Sequence, residues 1–494
     1  MEDPKNDKRK KQVPQILEQL HITDMADEGR ALGRAGDKVC FVEGAVPGDV
    51  VDVEVYKNKH RYMYARVVKI HTASDVRVDP KCRHFGLCGG CKWQHMDYNA
   101  QLYWKGKQVH DALVRIGRLD SAGVQPALPA PSAYAYRNKL EFTATRQKWL
   151  TMEEMKGMSA DADPGGDDAY RSGLGFHLPG RFDKIMHVEE CHLMDKKADE
   201  IRNFIHHYAA REGWTRYNQR SHEGFLRTLT LRNSSLGQWM LLLMVAGEDE
   251  TAVAGLMEAL SWEFPWITSL QYVINSKKND TLQGLVPRVW KGPAYIEERL
   301  GDLQFHISPE SFFQTNSRQA LRLYQLVEEM AAPSPGDGVY DLYSGTGTIG
   351  LFLARKASWV VGLEYTEAAV EDARRNAARN GITNARFVAG DLKNLLTDDF
   401  LSVHGRPSVL ITDPPRSGMH PDVVAMLCRM RVPRLVYVSC NPSTQARDLE
   451  LMRGTYRVVR YQPVDMFPQT HHVENVVLLD CLNGDGDSAN SNPP

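Results

Sequence analysis

Three short segments carry side chains suited to covalent chemistry. Asp413-Pro414-Pro415-Arg416-Ser417-Gly418 holds a carboxylate in a loop stiffened by two prolines. Ser439-Cys440-Asn441-Pro442 presents a thiol ahead of an Asn-Pro turn, and His471-His472-Val473-Glu474 brings two imidazoles and a second carboxylate. A cysteine side chain is an intrinsically strong nucleophile, and a carboxylate or imidazole can take up a proton. Most single cysteines are small buried residues. Cys440 differs because it directly follows Leu435–Ser439, an apolar run that reads as a strand. A fourth segment, Asp341-Leu342-Tyr343-Ser344-Gly345-Thr346-Gly347-Thr348-Ile349-Gly350, follows another apolar strand and opens a helix. Its glycines let backbone approach a ligand closely at a helix N-terminus.

Something must hold these segments together. From about Ser311 to Leu482 strands and helices alternate. Gly338–Leu342, Trp359–Glu364, Arg386–Val388, Val409–Thr412 and Leu435–Ser439 are strand-like, with helical stretches such as Thr366–Asn380 between them. That alternation predicts a parallel sheet flanked by helices, with ligands bound beyond the carboxyl ends of its strands. Asp413 and Cys440 then share one rim, and Glu474 arrives just before a last strand at Val476–Leu479. Glu364 ends the second strand, where a carboxylate accepts from both ribose hydroxyls, and Gly390-Asp391 ends the third. NAD and S-adenosylmethionine both fit this pattern, and the form D-x-x-S-G-T-G resembles that of methyltransferases. A thiol, a carboxylate and a methyl donor together suggest one reaction. C5 of uracil is a poor nucleophile, and adding a thiolate to C6 makes it an enolate able to attack a methyl sulfonium.

Ahead of this region the pattern differs. Val39–Val42, Val50–Tyr56 and Tyr62–Val68 are short strands separated by Gly and Pro turns, which suggests a small OB-like barrel. Residues 57–66 carry four Lys or Arg, no acid and two tyrosines. They read either as a solvated hairpin or as an RNA-facing edge. Asn99–Gly117 has helical periodicity. Lys139–Thr145, Gly173–His177, Leu226–Arg232, Gln238–Val245 and Leu270–Asn275 read as a β domain of antiparallel strands. Glu153–Asp168 is an acidic stretch expected to be a solvent loop, and the polar tail at 483–494 is expected to be disordered. Cys82-x5-Cys88-x2-Cys91 gives three soft ligands, with Cys191 the candidate fourth. Spacing alone leaves tetrahedral zinc, with His84 as an option, and an iron–sulfur cluster equally open.

The chain has 494 residues, and 60 basic against 62 acidic side chains leave a net charge of −2. No global basic coat exists, so nucleic acid must be met by local patches. The longest apolar run, Trp239–Ala246, is far short of a membrane span, and the start lacks a leader-like apolar stretch. Eight cysteines in a chain this long point to a reducing, cytoplasmic setting.

Taken together, Arg77–Cys91, Tyr136-Arg137-Asn138-Lys139, Ser311-Phe312-Phe313-Gln314-Thr315-Asn316, the Gly-rich loop, DPPRSG, SCNP and HVE resemble the RNA uracil-C5 methyltransferases with a TRAM domain and an iron–sulfur cluster. Within that family the chain looks most like the 23S rRNA enzymes. The resemblance runs from about residue 14 to 482. It implies Cys440 as nucleophile, Glu474 as the base that takes the C5 proton, and Asp413 as a residue gripping the uracil. It implies Gln314, Tyr343, Glu364 and Asp413 as S-adenosylmethionine contacts, joining Gly345, Gly347 and Asp391 from the loop pattern. It tips the cysteine set Cys82, Cys88, Cys91 and Cys191 to [4Fe–4S]. It also implies a multidomain α/β plan. A TRAM OB-like barrel covers 12–72, a central β domain with the cluster covers 73–96 and 119–300, and a Rossmann-like methyltransferase domain covers 97–118 and 301–482. RNA, most readily 23S rRNA, is the expected partner of a monomer, with no protein partner and no membrane. The competing expectations are a tRNA uracil-C5 methyltransferase and a non-catalytic RNA-binding assembly factor.

Overall fold

A computed structural model describes residues 15–119, 123–151, 154–155 and 171–482. The 483–494 tail and all of the acidic Glu153–Asp168 stretch except residues 154 and 155 lie outside the described residues.

Five strands, β1 (Gln15–Met25), β2 (Ala31–Ala35), β3 (Lys38–Glu43), β4 (Val50–Asn58) and β5 (Tyr62–Thr72), close into a barrel. Closure comes from parallel pairing of β3 with β5, and leaves no open edge. Leu20, Val42, Val51, Val53 and Ala65 fill its interior. Strand β1 is not legible from the sequence: its polar and apolar residues mix, and its register to both neighbours shifts at bulges.

The helix Tyr98–Arg115 follows, capped by the Asp97 carboxylate, which accepts from the amides of Asn99 and Ala100. Its Val109, Ala112 and Leu113 pack with Tyr340, Leu342, Ala446 and Leu449 of the C-terminal sheet and its helices.

The central sheet is made of β6 (Lys139–Thr145), β7 (Gly173–Leu178), β8 (Arg181–His187), β9 (Leu226–Asn233), β10 (Trp239–Val245), β11 (Ser269–Ile274) and β12 (Arg288–Lys291). Their order is β12-β11-β10-β9-β6-β7-β8. The expected antiparallel pairing fails at one place, because β10 and β11 run parallel. The helix Glu250–Glu263 lies between them, and a crossover of that length returns the chain in the same direction.

A hairpin, β13 (Ile296–Leu300) and β14 (Leu303–Ile307), comes next. The boundary expected at 300/301 falls in its turn, yet both strands pack into one core with the helix Ser317–Ala331. The C-terminal sheet comprises β15 (Gly338–Leu342), β16 (Trp359–Glu364), β17 (Ala385–Ala389), β18 (Val409–Thr412), β19 (Arg434–Ser439), β20 (Tyr456–Val464) and β21 (Glu474–Cys481). The order is β17-β16-β15-β18-β19-β21-β20, parallel from β17 to β19, with β21 antiparallel between β19 and β20. Strand order reverses between β15 and β18, which opens a crevice above their carboxyl ends.

Candidate active site

Above that crevice lies an open cavity of about 1420 Å³. Gln314, Tyr343, Gly345, Glu364, Asp391, Asp413, Cys440 and Glu474 all line it. Gly347 is the exception among the expected residues. Its φ of +79° suits glycine, and a Cβ there would meet the Phe387 ring at 2.8 Å. It packs the loop against β17 and does not line the cavity.

Sheet register explains why Cys440 and Glu474 meet. Ser439 of β19 pairs with Asn475 of β21, so the next residue of one strand and the preceding residue of the other emerge side by side. Cys440 then stands between strand and helix. The Asn441 side chain caps the helix Pro442–Met452 by accepting from Ser443 N, and Pro442 sits where no amide is needed. Asn441 Nδ2 also donates to the Arg416 carbonyl at 2.9 Å, tying this turn to the DPPRSG loop. That loop closes tightly at Gly418, whose φ is +77° and whose Cβ would lie 2.5 Å from the Arg447 guanidinium.

Three acids crowd the crevice. Asp413 is pushed up to about 7 by desolvation, and so is Asp341, whose Oδ2 accepts from Gly350 N at 2.8 Å. Glu474 is raised well above the ordinary carboxylate range, chiefly by burial and also by Asp413, against a lowering by Arg416. The Cys440 thiol is pushed up to about 11 by burial and by the Glu474 and Asp413 charges, while Arg416 lowers it. Sequence reasoning named the DPPRSG motif without seeing this role for Arg416. Only the folding of one loop over another reveals it. His471 and His472 are depressed to about 3 and 4, mainly by burial, and neither lines the cavity.

On the cofactor side, Glu364 Oε2 accepts from Gly345 N at 3.0 Å and Oε1 from Thr366 N at 2.9 Å. Each oxygen keeps a lone pair for a ligand hydroxyl. Asp391 caps the short helix Leu392–Leu395 by accepting from Lys393 N. Tyr343 sits at φ +61°, in the left-handed region, a local strain of the kind found at ligand clamps. Gln314 is placed by the Tyr136–Lys139 segment: Asn138 Nδ2 donates to its carbonyl at 2.9 Å, and Asn138 N to Thr315 O at 2.8 Å.

Comparison with known proteins agrees with this geometry. Residues 292–481 match the family described as tRNA (Uracil-5-)-methyltransferase, and residues 18–68 match the TRAM domain. An RNA methyltransferase of Porphyromonas gingivalis is 49% identical over 464 residues, covering 93% of this chain and 99% of the relative. One of Bacteroides thetaiotaomicron is 46% identical, covering 92% and 100%. The crystal structure of Pyrococcus abyssi tRNA (uracil-54, C5)-methyltransferase with S-adenosyl-L-homocysteine matches with a TM-score of 0.69 and 30% identity, over 93% of this chain and 99% of that one. The chain belongs to the RNA uracil-C5 methyltransferase family. As a member of it, the protein is an S-adenosylmethionine-dependent enzyme acting on RNA. Its barrel is a TRAM domain.

The methyltransferase also carries a second cavity, about 220 Å³, lined by Cys82, His84, Cys88, Cys91, Arg137 and Cys191. The four sequence-selected cysteines thus come together although Cys191 lies on a distant part of the chain. Burial raises all four thiols, Cys91 to about 12 and Cys191 to about 11. Among the described residues no group of three potential ligands is spaced to hold one metal ion. The expected iron–sulfur ligands therefore gather round one cavity, with no metal site among the described residues.

The barrel adds an aromatic cluster. Phe41 stacks on Tyr64 at 5.2 Å between centroids, Tyr62 meets Tyr64 edge-on at 5.6 Å, and Lys57 Nζ lies 5.2 Å from the Tyr64 centroid. Tyr56 and Tyr62 are exposed.

Proposed function

We propose that the enzyme methylates C5 of a uridine in 23S rRNA through a covalent Cys440–C6 adduct. The observation that carries this reading is the meeting of Cys440, Glu474 and Asp413 in the cavity that also holds the Gly-rich loop. The Cys440 thiolate bonds to C6, and its electron pair moves the C5–C6 double bond toward an enolate at O4. C5 then bonds to the methyl carbon, and S-adenosylhomocysteine leaves with the C–S electrons. Removal of the C5 proton restores the double bond and expels the thiolate. Glu474 takes that proton: it lines the cavity, and its raised basicity suits abstraction from carbon. The depressed histidines outside the cavity are poorer candidates. Asp413, held near 7, supplies a protonated carboxyl to grip the uracil carbonyl as charge develops. Arg416 is the cation that favours the thiolate. Gln314, Tyr343, Gly345, Glu364, Asp391 and Asp413 are read as the S-adenosylmethionine site.

The cysteine cavity fits a [4Fe–4S] cluster held by Cys82, Cys88, Cys91 and Cys191. A polynuclear cluster needs an apolar space ringed by them, which Phe85, Leu140, Phe176, Val188 and Leu193 provide. When bound, its irons supply the positive charge that keeps these buried thiols deprotonated. The TRAM aromatics and cations are read as a stacking platform for unpaired bases. The same reading makes the protein a monomer of the cytoplasm.

An rRNA substrate rests on the resemblance to enzymes with a barrel and a cluster. A tRNA substrate is the second reading, favoured by the P. abyssi tRNA enzyme, whose chain aligns over 99% of its length. Nucleoside mapping of rRNA and tRNA from a deletion strain decides between them. Loss of a 5-methyluridine from 23S rRNA alone is the expected result, and loss from tRNA alone rejects the rRNA assignment.

A further inference from the structure

Residues 465–473 connect β20 to β21 and deliver Glu474 to the cavity without regular secondary structure of their own. This strap is pinned from outside its sheet. The Lys105 and Asp465 side chains are both fully buried, with Nζ 2.5 Å from Oδ1. Lys105 Nζ also donates to the Phe467 carbonyl at 3.1 Å, and Tyr98 OH to Asp465 Oδ2 at 2.9 Å. Gln101 grips Gln469 twice: its Nε2 donates to Gln469 Oε1 at 3.1 Å, and its Oε1 accepts from Gln469 N at 3.0 Å. Gln469 sits at φ +68°, a strained conformation that its surroundings must hold. Its carbonyl accepts from Lys92 N and Trp93 N, both at 3.0 Å. Tyr98, Gln101 and Lys105 lie on the helix Tyr98–Arg115. Val109, Ala112 and Leu113 of that helix pack with Ala446 and Leu449, on the helix that begins two residues after Cys440. One helix therefore touches the supports of both reacting side chains.

Lys105 does not line the catalytic cavity. A buried ion pair is weak evidence for stability, since apolar replacements of both partners are often neutral or stabilising. Its consequence here is geometric. We propose that Lys105 is a positioning residue: through Asp465 and the Phe467 carbonyl it fixes the strap, and so the place of the Glu474 carboxylate relative to Cys440. The proposal rests on the reading of Glu474 as the base for the C5 proton.

The test compares Lys105→Met, the paired variant Lys105→Met/Asp465→Leu, and Glu474→Gln, using methyl-labelled S-adenosylmethionine, RNA and a denaturing gel. The paired variant leaves no lone buried charge, so it folds even where the single variant does not. Misplacing the base by about an ångström predicts a kcat about 100-fold lower. KM for both substrates stays near the wild-type value, because binding is not touched. The labelled covalent RNA–protein complex should accumulate in the paired variant as it does in Glu474→Gln. A folded paired variant that turns over at the wild-type rate overturns the positioning role alone. So does one whose loss lies entirely in KM. A Glu474→Gln enzyme that releases methylated RNA at the wild-type rate removes the base assignment and this proposal with it.

Discussion

Cys440, the proposed nucleophile, rests in its protonated form. Burial and two neighbouring carboxyl groups push its thiol up to about 11, and Arg416 alone pulls against them among the main influences. The sign is testable on the free enzyme. Iodoacetamide alkylation of Cys440, followed on its own peptide by mass spectrometry, should keep rising through pH 9. In Arg416→Met it should be slower at pH 8, by about tenfold for each unit added to the thiol pKa. A plateau by pH 8 would mean an ordinary or activated thiol and reject this picture of the resting site. The residue types at the strand ends were legible in the sequence because an acid or thiol after an apolar run is a local pattern. Gln314 and Tyr343 were reachable only through family resemblance. Gln314 lies in an irregular loop with no periodicity, placed by Asn138 from another sheet. Gly347 does not line the cavity, and the pattern of glycines does not say which of them faces outward.

The parallel strands of the catalytic sheet were read close to their observed limits, since a buried parallel strand is a short unbroken apolar run, whereas the antiparallel β20, partly exposed and interrupted by arginines, was missed. Those of the barrel and central sheet were read less completely. Strand β1 is interrupted by bulges, and the direction of β11 depends on a helix that periodicity locates but does not orient. The cysteine segment shows the same division. Its spacing is visible in the sequence, whereas the arrival of Cys191 beside it depends on how the central sheet folds back. If these four thiols hold a cubane, anaerobically purified protein should be brown and contain about four irons per chain. Stoichiometric zinc with negligible iron would contradict it. Replacing Cys191 with Ser should lower the iron content markedly, because the other three thiols lie on one short segment and cannot close the shell.

Across the whole molecule, the segments that build the methyl-transfer cavity come from well-separated parts of the chain. The SFFQTN loop, the Gly-rich turn, DPPRSG, SCNP and the HVE strap converge on one crevice, while the helix Tyr98–Arg115 braces the last two from behind. The proposed reaction passes through a bond between this protein and its RNA, formed at Cys440. RNA carrying 5-fluorouridine at the target position tests that claim most directly, because fluorine does not leave as a proton does. Wild-type enzyme with methyl-labelled S-adenosylmethionine should form a labelled protein–RNA band that survives denaturation. Cys440→Ala should form none, while still binding S-adenosylmethionine. A wild-type enzyme that releases unmodified 5-fluorouridine RNA with no covalent band, or a Cys440→Ala variant that methylates ordinary RNA at the wild-type rate, would contradict the covalent mechanism.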